Sequence, residues 1–97
     1  MKTVHTASAS FLTGADIADA VMTYGLELAR AESLDVIDIP FITARGSTSR
    51  AQLRIGWRID TAVTYREHDP DELFDADAAF ALLDKIQALR DSFTDRR

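Results

Sequence analysis

Cysteine is absent from the 97 residues, which removes disulfide staples, thiolate metal ligands and cysteine nucleophiles together. Histidine is scarce as well, since His5 and His68 are the only two, and a zinc site needs several converging ligands. No run approaches about 18 consecutive apolar residues, so no segment is expected to span a membrane. The opening MKTVHTASASFLTGAD lacks the sustained apolar stretch of a secretory signal and reads as mature protein. Cytoplasmic location is the expectation that follows. Glycine and proline number four and two, and no linker, repeat or low-complexity tract stands out. The whole of 1–97 therefore reads as one domain.

What is present belongs to a globular chain, with 46% hydrophobic and 28% charged residues. The net charge of −5 is unevenly spread. Residues 1–33 hold two basic and four acidic groups, residues 34–66 five and three, and residues 67–97 four and nine. Only the middle third is basic. An acidic total argues against nucleic-acid binding, which needs several uncancelled cationic contacts to phosphate.

Thr3 to Leu12 carries Val4 and Phe11 among Thr, Ser and Ala, and reads as a short strand of poor alternation. Thr13 follows as an N-cap, its hydroxyl available to a free helix N–H, with Asp16 against the positive terminus. Ile17, Val21, Tyr24 and Leu28 then recur at helical spacing opposite a polar stripe, which predicts a helix over Gly14–Glu32. Gly25 in its interior implies close approach to a neighbouring backbone. SLDVIDIPFIT reads as a strand, with Pro40 confining it to an edge or a bulge. Residues 44–49 read as a hairpin loop. Ala51, Leu53, Ile55, Trp57 and Ile59 alternate with Gln52, Arg54, Gly56, Arg58 and Asp60, the clearest period of two in the chain. Thr61–Glu67 returns as a further strand. A final helix carries Ala76, Ala79, Leu82, Leu83, Ile86, Leu89 and Phe93 on one side, with Asp75 preferred to Asp69 as its cap. The order is (β)–α–β–β–β–α. The expected fold is α+β: a small antiparallel sheet of three to four strands with two helices on one face. In TGADIADAV at the helix start and AQLRIG in the strand, the chain resembles small uncharacterised bacterial proteins with this strand–helix–hairpin order. That resemblance implies no activity and no site residue.

The sequence assembles no catalytic constellation. His68 lies in the acidic run EHDPDE, where carboxylates adjacent along a loop are more easily solvated than converged on a metal. Ser47 and Ser49 have no base nearby, Ser8 and Ser10 are candidates by type alone, and Asp35 and Asp38 fall on opposite faces of one strand. No cofactor is expected, and the chain is expected not to be an enzyme. RGSTSR places Arg45 and Arg50 around a small polar loop that could nest an anion, or form a plain hairpin turn.

The sharper feature is the row Arg50, Arg54, Arg58, which parity sets opposite Leu53, Ile55 and Trp57. On a continuous strand these arginines stand about 13 Å apart at each step. They form a stripe that either keeps an exposed sheet face soluble or meets an acidic partner. Trp57 is expected to point into the core, unless a bulge at Gly56 slips the register. Arg45, Arg50, Arg54, Arg58 and Trp57 are thus the candidate binding residues. The expected partner is a second copy of the chain or another protein. Met22, Leu26 and Phe80 are the expected seam of a homodimer, with Asp69, Asp71, Glu72, Asp75 and Asp77 facing a basic strip. The alternative is a small-molecule or anion-binding module using the 45–50 loop and the Arg54/Arg58 face.

Overall fold

The computed structural model describes residues 1–65, 73 and 75–94, the side chains at 93 and 94 excepted. Its elements are β1 (Lys2–His5), β2 (Ser10–Thr13), α1 (Ala15–Arg30), β3 (Leu34–Ile42), β4 (Thr48–Gly56), β5 (Ala62–Tyr65) and α2 (Ala76–Thr94). The fold is α+β, and its five antiparallel strands run in the order β4–β3–β2–β1–β5. This is more than the three to four strands the sequence led us to expect. The single short strand read over Thr3–Leu12 is a complete hairpin. Its turn is closed by the Thr6 N–H on Ala9 O at 2.8 Å and by the Ala9 N–H on the Thr6 hydroxyl at 3.2 Å. A hydroxyl does here what Gly, Asn or Pro usually does, so the turn left no familiar mark in the sequence.

The row Ile17, Val21, Tyr24 and Leu28 is buried, joined by Ala18 and Ala20. The start of α1 differs from expectation. Gly14 is the N-cap and no side chain bonds there. Thr13 instead ends β2, wholly buried, and its hydroxyl donates to Pro40 O of β3 at 2.7 Å. The far end closes as a Schellman turn, with Ser33 N–H on Leu28 O at 2.8 Å and Glu32 N–H on Ala29 O at 3.1 Å. Glu32 occupies the left-handed position at φ 52°. Gly25 has no backbone against it; a Cβ there would meet Ile55 Cβ at 4.0 Å, an ordinary contact.

β3 and β4 pair from Leu34↔Gly56 to Ile42↔Thr48. Ile37, Ile39, Leu53 and Ile55 face the core, while Leu34, Val36, Asp38, Gln52 and Arg54 are exposed on the other face. The hairpin turns through Thr43–Ser47, bonded from Thr43 N–H to Ser47 O at 2.7 Å. β3 is an inner strand of the sheet, but β2 pairs with it only at Leu12↔Ile42, so the flank beside Pro40 carries no ladder and Pro40 stands at a local edge. It is tolerated because Pro40↔Arg50 is a pair whose backbone groups point away from each other. The ladder phase follows from the Trp57 N–H, which donates to Ser33 O at 3.0 Å and makes alternate pairs the bonded ones.

Beyond Ile55 the strand departs from its expected course. Gly56 holds φ 122° and Arg58 φ 61°, and the Ile59 N–H turns back to Gly56 O at 3.1 Å. β4 therefore ends at Gly56 rather than continuing through Ile59. Trp57 is not a core residue: it is 37% exposed. Five residues then carry the chain from β4 to β5, at opposite margins of the sheet. In a flat sheet those margins lie about 19 Å apart. A link containing a turn spans that only if the sheet curls.

β2 pairs with β3 only at Leu12↔Ile42, where Phe11 meets Phe41 edge-on with centroids 5.2 Å apart. The rest of that β3 flank is met by α2, whose buried stripe is Ala78, Leu82 and Ile86. Leu83, expected on the apolar side, is instead 51% exposed. Asp75 caps α2 as anticipated, accepting the Ala78 N–H at 3.0 Å.

Candidate functional site

The arginines do not form one site. Arg45 is exposed at the β3–β4 tip. The N–H groups of Thr43, Gly46 and Ser47 are all used inside that turn, on Ser47 O, Thr43 O and the Thr43 hydroxyl, which leaves few donors to nest an anion. Arg50 is committed to Asp38 at 2.7 Å and lies 3.7 Å from Asp75. Arg54 is exposed on the outer face opposite Val36. Arg58 leaves the row: it sits past the strand end with its guanidinium 4.4 Å over the Trp57 ring. Guanidinium and ring thus form a stacked pair, where strand parity placed them on opposite faces. The structure groups Arg50 with Arg54 on the outer face of β4 and Arg58 with Trp57 at its end. Arg45 stands at the other end of the strand.

Two polar clusters went unpredicted. His5 on β1 bridges the Ser10 hydroxyl at 2.9 Å and the Thr64 hydroxyl at 2.8 Å, tying β2 and β5 across the strand between them. A serine beside an imidazole is half of a nucleophilic pair, but the other ring nitrogen meets a threonine rather than an orienting carboxylate. The signal was missed because it spans three strands. In the second cluster the Tyr24 hydroxyl donates to Asp35 at 2.6 Å and Lys85 donates to the same oxygen at 2.9 Å. Partial burial raises the Asp35 pKa, but the hydrogen bonds from Tyr24, Lys85 and the Val36 N–H, with the Lys85 charge, outweigh it and hold the carboxyl below its usual range. Burial, then the bond to Asp35 and its charge, push Tyr24 well above the usual tyrosine range. The cluster joins α1, β3 and α2, and its acid is ionised and its phenol neutral. That is a fastening, not a poised acid–base pair.

Among the described residues no three His, Asp or Glu side chains converge as a metal site. His68 and the acidic groups at 67–72 lie outside them. No helix among those residues is long and apolar enough to cross a membrane.

One apolar surface runs between the helices. A groove of about 440 Å³ is lined by Ala20, Ala76, Ala79, Phe80 and Leu83, with Asp16 and Asp19 alongside. Phe80 is 63% exposed. Met22 and Leu26 lie three residues on from Asp19 and Thr23 and are exposed on the adjoining stripe of α1. A smaller cavity of about 220 Å³ lies between the β1–β2 turn at Thr6–Ser8 and the Gln52–Arg54 stretch of β4, with Phe11 and Ile59 alongside. No protein-family model, no curated protein and no solved structure matches the chain.

Proposed function

We propose that this chain is a small interaction domain, without catalytic machinery, that works as a homodimer joined through its helical face. The observation that carries the reading is the α1–α2 groove: small residues line it, and large apolar side chains stand exposed beside it. Exposed apolar surface gathered in one place marks an association site more often than scattered residues do. A two-fold arrangement suits it, because each copy offers Phe80 and Leu83 and receives them over Ala76 and Ala79. The seam combines Met22, Leu26 and Phe80 with Leu83.

Light scattering coupled to size exclusion tests this directly. The wild-type chain runs as a dimer at tens of micromolar, and Phe80→Asp runs as a monomer. Because Phe80 is mostly exposed, that variant still melts cooperatively and, at concentrations where both chains are monomeric, its unfolding free energy stays within about 0.5 kcal/mol of wild type. A wild-type monomer at that concentration, or a dimer unaffected by Phe80→Asp, rejects the seam.

A further inference from the structure

We propose a second, separate surface: the free edge of β4 takes up an extended acidic segment of another protein as an added antiparallel strand. β4 is one margin of the sheet and nine residues long. The ladder phase fixed by Trp57 and Ser33 turns the N–H and C=O groups of Thr48, Arg50, Gln52 and Arg54 away from β3. Two contacts on the opposite flank of β3 agree with that phase. The Val36 N–H is taken by the Asp35 carboxylate at 2.8 Å, and Pro40 O accepts from Thr13. Among the described residues, none of the outward backbone groups of Thr48, Arg50, Gln52 and Arg54 has a hydrogen-bond partner. The other sheet margin, β5, is four residues long.

Side-chain charge selects the occupant. The residues whose backbone faces outward carry Arg50, Gln52 and Arg54 on the exposed face. Two copies of β4 paired antiparallel about Gln52 would set Arg50 against Arg54 twice, and like charges directly opposite are unfavourable. A second copy is therefore a poor occupant at Arg54, and, since Arg50 already meets Asp38 and Asp75, the carboxylate that matters in an incoming strand is the one opposite Arg54. Arg54 has no carboxylate partner among the described residues, so the carboxylate opposite it gains most. The intervening residues of the added strand point to the inner face, into the cavity that separates Gln52–Arg54 from the β1–β2 turn at Thr6–Ser8, with Phe11 and Ile59 alongside. The motif recognised is thus apolar–acidic–apolar in extended form, held by main-chain hydrogen bonds.

Amide hydrogen exchange followed by NMR, with the blocked peptide Thr-Val-Glu-Leu-Glu-Val-Thr as probe, tests this. On saturation the Gln52 and Arg54 amides exchange about tenfold more slowly or better, while Leu53 and Ile55, already bonded to β3, change little. Arg54→Glu weakens binding about fivefold or more, with the free protein's spectrum otherwise retained. A peptide N-methylated at both glutamates, which lose the donors facing β4, does not bind. Four results overturn the proposal: no binding at millimolar peptide, binding without protection of Gln52 and Arg54, equal binding of the N-methylated peptide, or concentration-dependent protection of those amides without peptide. The last would mean that a second copy pairs there after all.

Discussion

Gly56 decides the course of the chain where β4 ends. A Cβ there would collide with Ser33 O and lie 3.1 Å from Leu28 Cβ, at a φ of +122° that other residues rarely adopt. Gly56→Ala is expected to cost about 2–3 kcal/mol, read by urea or thermal unfolding. Glu32 is the converse, a charged residue in a left-handed helix-end position where glycine is usual. Glu32→Gly is expected to raise stability by about 0.5–1 kcal/mol in the same melts. The sequence marked Gly56 as the point where the alternation could fail but not that it does. A period of two assigns faces only while the backbone stays extended, and Trp57 lies one residue past that limit. Its exposure beside Arg58 depends on a contact with Ser33, a residue 24 positions earlier.

At the level of elements, the fastening of α1, β3 and α2 through Tyr24, Asp35 and Lys85 sets the pH response. Asp35 titrates lower in the folded chain than in the unfolded one, so its contribution is complete above the ordinary carboxylate range and is lost as pH falls through and below it. Tyr24 titrates higher when folded, so stability is held below about pH 10 and declines as the unfolded phenol ionises above it. Equilibrium unfolding across pH should show both limbs, with Asp35→Asn flattening the acid one and Tyr24→Phe the alkaline one. Asp35→Asn at neutral pH is expected to cost about 1 kcal/mol; Lys85 is half exposed, so its ion pair adds little of this. α1 was legible because four buried positions at helical spacing exceed any local ambiguity, and Asp75 because a capping carboxylate acts within one turn. The β1–β2 hairpin was not, since its turn rests on a threonine hydroxyl. Thr13 was misassigned for a related reason: a good cap by type, it found a stronger use on a carbonyl 27 residues away.

For the whole molecule, the proposed seam has a distinctive salt response. Asp16 flanks the groove, Asp77 and Asp84 are exposed on α2, and Asp19 beside them is neutralised by Lys2 at 2.7 Å, so a two-fold contact brings the rims of Asp16, Asp77 and Asp84 together around an apolar centre. Dimer dissociation constants measured by analytical ultracentrifugation should therefore fall as salt rises from about 0.05 to 0.5 M, through screening of that repulsion. A dimer held by acidic helix against basic sheet would loosen instead. Of the candidate binding residues, only Arg50 and Arg54 share an edge, because four-residue spacing survives folding only within one strand. By itself the sequence determined the α+β class, α1, the β3–β4 hairpin and the cap of α2, all of which follow from period and short-range chemistry. Tertiary structure alone decided the curl of the sheet, the free edge of β4, the outward turn of Trp57 and the groove beside Phe80. Each of these depends on contacts between residues distant in the chain, and local pattern carries no record of them.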